Sequence, residues 1–145
     1  MFPVHGKWKI AVSNNIVMQW FGGAWNEEAI IQYTKEFQLK TAKLTGSEWA
    51  ILSFFEEWEL GVPEIEPLVV EHCNRFKRNG CVKDCHVYSV SSVKKDQLEK
   101  MIPHSEPGYE RQVFDTGEAA YAWLQSYNFS LHDLKTLVEF TNLKM

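Results

Sequence analysis

The sequence predicts an α/β fold, built on one mixed β-sheet of about five strands with helices packed mainly on one face. The first observation is a run over residues 50–55 that is apolar except at Ser53, typical of a strand buried on both faces in a parallel sheet. The second is the alternation of strand patterns with amphipathic helical segments. The third is the length of 145 residues, which suits one domain that buries its core without disulfides or metal.

The first elements predict a β-hairpin and a helix. Residues 7–13 alternate polar and apolar side chains, residues 14–15 are an Asn-Asn turn pair, and residues 16–21 supply the returning strand. A helix over residues 27–40 follows, with Asn26 as its N-cap and apolar side chains recurring on one face. This helix is expected to pack on the sheet.

The rest of the chain continues to alternate strands and helices. Proline at the first turn and Asn-Gly at the end mark the second helix, and a later proline stops the third. We expect a strand over 48–55, a helix over 63–79, a strand over 84–90, a helix over 94–102, an edge strand over 110–114 and a helix from about 117.

The C-terminal segment predicts an addition to the domain. We place the domain at residues 1–129 and an appended amphipathic helix at residues 130–145, opened by a capping box from Ser130 to Asp133. A lone helix of this length is marginal in water, so its apolar side must be covered. It covers its own sheet, or it packs against a second copy to form a homodimer.

Charge and hydropathy exclude several classes of protein. The net charge is −4 with acids and bases interleaved, which lacks the concentrated basic face that nucleic acid needs. No apolar run approaches the roughly 20 residues that span a bilayer. The first residues lack the basic start and long apolar centre of a secretory signal. We therefore expect a cytoplasmic protein without a transmembrane segment.

Three cysteines raise the question of disulfides and metal. Cys73, Cys81 and Cys85 are odd in number and follow no secretory signal, so we expect reduced thiols. His72 and His86 flank them, but a structural zinc site needs a second ligand pair that the sequence does not supply. Buried cysteine behaves as a small apolar residue, so core packing is the preferred interpretation. No metal and no cofactor is expected.

The most informative junction is the end of the central strand. Glu56, Glu57 and Glu59 follow the apolar run directly, with Trp58 between them and Gly61 before the second helix. Strand ends and helix N-termini meet here, where ligands and partners of open α/β sheets usually bind. Adjacent residues of a strand end point to opposite faces, so the first two carboxylates are poorly placed to share a proton.

This junction resembles the signature of the STAS domains, in particular of the SpoIIAA-like anti-sigma-factor antagonists, where a strand ends in acid-Ser-Ser-Gly-Leu-Gly. The matching residues here are Glu56-Glu57-Trp58-Glu59-Leu60-Gly61. The resemblance implies a STAS-like fold over roughly residues 5–127 and a loop that docks on a partner kinase. Glu57 occupies the slot of the phosphorylated Ser, so the resemblance does not extend to the phospho-switch. A carboxylate mimics phosphoserine only in part.

The preferred function is a non-enzymatic bacterial regulatory or protein-interaction module. Its expected contact surface is formed by Glu56, Glu57, Trp58, Glu59 and Gly61, and its expected partner is a kinase-like or other signalling protein. A large aromatic side chain in a polar loop is typical of an interface anchor. The sequence shows no assembled nucleophile and base, so an enzyme is not expected.

A second hypothesis is a carrier of a small apolar, lipid-like ligand. Four tryptophans at strand positions or beside the Gly-Gly break could line a cavity between the sheet and the helices. They are Trp8, Trp20, Trp25 and Trp49. Ordinary core packing by these aromatic side chains is the alternative.

Overall fold

The computed structural model describes residues 3–89 and 93–145. Within these ranges the chain forms six strands, β1 Lys7–Ser13, β2 Ile16–Trp25, β3 Trp49–Phe54, β4 Trp58–Gly61, β5 Cys81–Val87 and β6 Glu110–Phe114. The α-helices are α1 Glu27–Thr41, α2 Glu66–Arg78, α3 Lys94–Met101, α4 Gly117–Gln125 and α5 Lys135–Thr141. Short 3₁₀ turns at Ala42–Leu44 and Pro63–Ile65 follow α1 and precede α2. Val90, which the sequence placed in the β5 strand, lies outside the described residues.

The strands form one mixed sheet in the order β1-β2-β3-β5-β6, with β4 paired to β2, which confirms the predicted mixed sheet. β1 and β2 are an antiparallel hairpin, with Asn14 at φ 54° in its turn. Asparagine tolerates this left-handed conformation. The pairs β2–β3, β3–β5 and β5–β6 are parallel. The apolar segment before the glutamates therefore lies in the middle of the sheet.

Helices cover both faces of the sheet, whereas the sequence predicted them mainly on one, because α4 and α5 together bury the second face. α1, α2 and α3 pack over one core, which is rich in aromatic side chains. α4 and α5 pack over the other, where Leu137 and Phe140 are buried against the sheet. The C-terminal tail therefore covers its own sheet.

The tail helix begins later than the sequence predicted. α5 starts at Lys135, and the predicted capping box is wrong. The Ser130 hydroxyl accepts from Asn14 Nδ2 at 3.1 Å, and Asp133 Oδ1 accepts from the Lys135 amide at 2.8 Å. Both groups that would have formed the box are thus used elsewhere, with Ser130 tied to the β1–β2 turn.

The predicted acidic loop contains a strand. β2 is ten residues long and extends past the end of β3, so the backbone of Gly23–Trp25 needs another partner. β4 supplies it, pairing in parallel with this part of β2. The Gly23 amide donates to the Glu57 carbonyl at 3.0 Å, and the Val62 amide donates to the Trp25 carbonyl at 2.9 Å. A two-residue turn between β3 and β4 carries Glu56 and Glu57.

Candidate functional site

The rim segment, residues 56–62, leaves the sheet at the carboxyl end of β3. Glu56 Oε2 accepts from the amide of Ser89, two residues after the end of β5, at 2.8 Å. Glu57 Oε1 lies 3.8 Å from Lys144 Nζ in the C-terminal tail. Lys94 Nζ donates to the carbonyls of Phe55 at 3.0 Å and Glu56 at 2.5 Å. The first two carboxylates thus reach different neighbours, and the turn that carries them is fixed from three sides.

Trp58 is not a surface anchor, which corrects the sequence-based assignment. Its side chain is only 3% exposed and packs edge-on against Phe55 with ring centroids 6.0 Å apart. In β4 the side chain of Trp58 is buried and that of Glu59 is exposed. Trp58 therefore belongs to the core beneath the rim.

Gly61 lacks a side chain at the place where the rim segment packs closely against α3 and the start of α2. Gln97 Oε1 accepts from the Gly61 amide and Gln97 Nε2 donates to the Gly61 carbonyl, both at 2.9 Å. A Cβ atom on Gly61 would lie 2.1 Å from Ile65 Cδ1, far inside van der Waals contact. Its role in this structure is to allow close packing.

The outer side of the rim is partly apolar. Leu60 and Val62 are 40% and 41% exposed, and Glu59 and Glu64 beside them are exposed carboxylates. Two half-exposed aliphatic side chains flanked by acids therefore face solvent where the chain passes from β4 into α2.

The four tryptophans of the carrier hypothesis do not share one cavity, so that predicted pocket is wrong. Trp20 packs in the core beneath α4 and α5, whereas Trp8, Trp25 and Trp49 lie on the α1–α2 side. The indole N–H groups of these three donate within the protein, to Glu36 Oε1 at 3.2 Å, the Gly22 carbonyl at 3.1 Å and the Asn79 carbonyl at 2.8 Å respectively. Core packing explains them.

A row of polar side chains crosses the buried face of the sheet under α1 and α2. Gln19 on β2, Ser53 on β3 and His86 on β5 are register partners on adjacent strands. All three are buried. We call them the polar row. Polar groups at the centre of a sheet are costly unless they are hydrogen-bonded, so their partners matter.

Hydrogen bonds join the polar row to both covering helices. Gln19 Nε2 donates to Ser53 Oγ at 2.8 Å, and the Tyr33 hydroxyl of α1 donates to Gln19 Oε1. His72 Nε2 of α2 lies 3.2 Å from the same hydroxyl. Because Tyr33 uses its one proton on Gln19, its oxygen accepts from His72, which places the imidazole proton on Nε2. Burial raises the pKa of Tyr33 well above its usual range, so its hydroxyl keeps its proton.

His72 keeps an unused acceptor. With the proton on Nε2, Nδ1 carries a lone pair, and no group of residues 3–89 or 93–145 lies within hydrogen-bond distance of it. Burial and, secondarily, the Arg75 guanidinium lower the pKa of His72 to about 3, so the ring is neutral at physiological pH. An unpaired acceptor on a side chain as buried as His72, which is 4% exposed, is uncommon in a folded core.

A further buried polar side chain, that of Asp84, lies on β5 beside the polar row. Asp84 Oδ2 accepts from the Tyr109 hydroxyl at 2.6 Å, and Asp84 Oδ1 lies 3.2 Å from His86 Nε2. Burial and the nearby Asp84 raise the pKa of Tyr109. Asp84 is thus fully engaged by its neighbours.

A cavity of about 60 Å³ is lined by the polar row and Asp84, and we call it the core cavity. Leu98 and Met101 of α3 cover it together with Ile102 just after this helix, and Trp58 and Ile65 close it beneath the rim segment. Its polar lining consists of Gln19, Tyr33, Ser53, His72, Asp84 and His86. His72 and Phe76 also line an open cleft of about 400 Å³ between the C-terminal halves of α1 and α2. These two side chains therefore separate the core cavity from solvent.

The three cysteines occupy core positions. Cys73 on α2 and Cys85 on β5 pack in opposite cores, and Cys81 is buried at the start of β5. Burial raises the pKa of all three thiols, and Asp84 adds to the effect. Among the described residues no group of three His, Cys, Asp or Glu side chains is placed to hold a metal ion. No helix within residues 3–89 and 93–145 is long and apolar enough to cross a bilayer.

Comparison with known proteins identifies the fold. An uncharacterized protein of the DUF3478 family from Shewanella loihica PV-4, solved with a SpoIIAA-like fold, superimposes with a TM-score of 0.64. The match covers 86% of this chain and 98% of that one, at 12% sequence identity. The chain has a SpoIIAA-like fold. No protein-family model and no curated protein matches the sequence.

Sequence reasoning found the rim of this SpoIIAA-like fold but missed the polar row. The signal was present, because Gln19 and Ser53 interrupt otherwise apolar strands and Asp84 and His86 alternate with apolar residues in β5. A polar residue inside a strand buried on both faces must find a partner there. Which strands are neighbours, and in which register, came only with the structure.

Proposed function

We propose that this protein is a non-enzymatic regulatory module that binds a protein partner through the rim segment. One observation carries the proposal: Leu60 and Val62 stand 40% and 41% exposed between carboxylates, on a backbone that is held in place from below. Aliphatic side chains at the centre of a polar ring are the usual composition of a docking surface. The contact residues are Glu56, Glu59, Leu60 and Val62.

The rigidity of this surface supports the proposal. Lys94 holds the turn carbonyls, Gln97 holds Gly61, and Trp58 fills the core underneath. A preformed surface loses little conformational entropy on binding. The resemblance of the segment to the docking loop of SpoIIAA-like antagonists points to the same edge of the fold.

The exposed chemistry indicates the kind of partner. Glu56, Glu59 and Glu64 are exposed carboxylates around the two aliphatic side chains. A partner with a small apolar pocket bordered by Lys or Arg would complement them. Glu57 already faces Lys144 in its own chain, so we expect it to contribute less to the contact.

The lipid-carrier hypothesis has less support. The core cavity of about 60 Å³ is smaller than the roughly 150 Å³ cavity that holds a single benzene ring. An acyl chain would need a large displacement of α3.

Site-specific photocrosslinking in living host cells tests the proposal. A photoreactive amino acid at Glu59 should give one discrete crosslinked protein, whereas the same group at Lys43, an exposed position outside the rim, should not. Leu60→Ser with Val62→Ser should abolish the crosslink. Val138→Ser, which alters a comparably exposed aliphatic residue on α5, should leave it intact. Equal crosslinking from both positions, or a crosslink that survives the double substitution, would refute the docking role.

A further inference from the structure

His72 and Ser53 both line the core cavity, and each keeps one unused hydrogen-bonding function. His72 Nδ1 is an acceptor without a donor among the residues that the structure describes. Ser53 Oγ accepts from Gln19 Nε2 and, within the same described ranges, makes no other hydrogen bond, so its own proton is available. Each unmet function in a buried site costs free energy that a ligand could recover.

The remaining polar groups of the lining are satisfied within the protein. Tyr33 and Gln19 bond along the chain from His72 to Ser53, and Asp84 is held by Tyr109 and His86. The other lining side chains are mainly apolar or aromatic. The cavity therefore offers one free acceptor and one free donor, and its one carboxylate, that of Asp84, is already hydrogen-bonded within the protein, which suits a neutral molecule.

We propose that the core cavity is a binding site for a small neutral molecule that carries both a donor and an acceptor, as a primary amide does. Its N–H group donates to His72 Nδ1 and its carbonyl accepts from the Ser53 hydroxyl. A ligand enters through the cleft between α1 and α2, where the side chains of His72 and Phe76 form the boundary.

The size of the cavity limits the bound group to a few heavy atoms. A water molecule needs at least about 10–15 Å³ of cavity volume, so a cavity of about 60 Å³ has room for about four to six such units. Acetamide has four heavy atoms and both required functions. Acetone has the same skeleton with a methyl group in place of the amide nitrogen, which makes it a matched control without a donor.

Titration of the intact protein with acetamide, followed by NMR of protein labelled with ¹⁵N-histidine, tests the site. We expect a saturable shift of the His72 Nδ1 resonance, with a dissociation constant on the order of 1–10 mM because the ligand is so small. Acetone should bind at least about ten-fold more weakly, since it leaves Nδ1 unpaired. These measurements need no substitution in the core.

Two variants examine the donor side of the site. Ser53→Ala should weaken acetamide binding about ten-fold, and Ser47→Ala, at an exposed position outside the cavity, should not change it. If Ser53→Ala does not fold, the acetamide and acetone titrations of the wild-type protein decide alone. A shift that grows linearly without saturation, or that is equal for both probes, would overturn the proposal. So would an Nδ1 resonance that already reports a hydrogen bond in the free protein and does not respond to acetamide.

Discussion

The side-chain amide of Gln97 pairs with the backbone of Gly61 through two hydrogen bonds of 2.9 Å, one in each direction. β4 pairs with β2 along one edge, and Gln97 supplies the other edge with one donor and one acceptor, as a neighbouring strand residue would. Gln97 Nε2 also lies 3.2 Å from Glu66 Oε2 at the start of α2. One side chain thus connects the rim segment, α2 and the helix that covers the core cavity.

Replacing Gln97 with Ala should therefore release α3 from the rim. Three hydrogen bonds are lost, two to Gly61 and one to Glu66, and the two backbone groups of Gly61 are left to water, so we expect a loss of about 1–2 kcal/mol in the free energy of unfolding. Urea denaturation measures this loss, and hydrogen exchange of the Gly61 amide should become faster. Lys95→Ala, an exposed position on the same helix, is the control and should change neither quantity. An unchanged exchange rate at Gly61 would contradict the assigned contact.

Close packing at Gly61 leads to a second prediction. Gly61→Ala places a Cβ atom 2.1 Å from Ile65 Cδ1, so the rim or Ile65 must shift, at a cost of about 1–3 kcal/mol. Ile65→Val removes that methyl group and alone costs about 0.5–1.5 kcal/mol. The double variant should be more stable than the sum of the two single losses predicts. A double-mutant cycle by chemical denaturation measures this coupling, and strictly additive losses would show that the contact does not limit residue 61.

The sequence predicted the sheet and its helices because local signals agree with the fold. Asn26 caps α1 as expected, its Oδ1 accepting from the Ala29 amide at 3.1 Å. The edge strand β6 lies at the residues predicted for it. The central position of β3 followed from its apolar run on both faces.

The candidate site depended on information that is not local. Trp58 was expected in a loop, but the excess length of β2 recruits it into a strand and turns its indole into the core. Likewise, Gln19, Ser53 and His86 are 33 or more residues apart in sequence, and only the strand order makes them neighbours. Glu57 was placed correctly after the strand, but its pairing with Lys144 depends on where the C-terminal tail packs.

The C-terminal tail provides a third prediction, because it covers one face of the sheet. Phe140 of α5 is 1% exposed and packs with Phe54 of β3, with ring centroids 6.5 Å apart. Phe140→Ala should cost about 3–5 kcal/mol through lost burial and the cavity it leaves. Val138→Ala on the same helix, at 58% exposure, should cost less than about 0.5 kcal/mol. Thermal and urea unfolding compare the two, and similar losses would mean that α5 does not pack on the sheet in solution.

The buried imidazole of His72 makes stability depend on pH. Its pKa is lowered to about 3 in the folded protein, mainly by burial and further by Arg75, whereas an unperturbed histidine titrates near 6.5. Between these values the unfolded chain binds a proton that the folded protein does not, so protonation favours unfolding. The contribution of neutral His72 is complete above about pH 6.5 and is lost progressively as the pH falls towards 3.

His72→Gln isolates this effect, because glutamine keeps an N–H donor for Tyr33 but does not titrate. On going from pH 7 to pH 5, the wild-type protein should lose about 2 kcal/mol more than the variant, since each pH unit in this window costs up to about 1.4 kcal/mol. Contributions that are the same in both proteins cancel in the difference. Urea denaturation at a series of pH values gives the two curves. If the two curves run parallel between pH 7 and pH 5, His72 is not buried as a neutral ring. The unpaired Nδ1 acceptor in the proposed binding site would then be absent in solution.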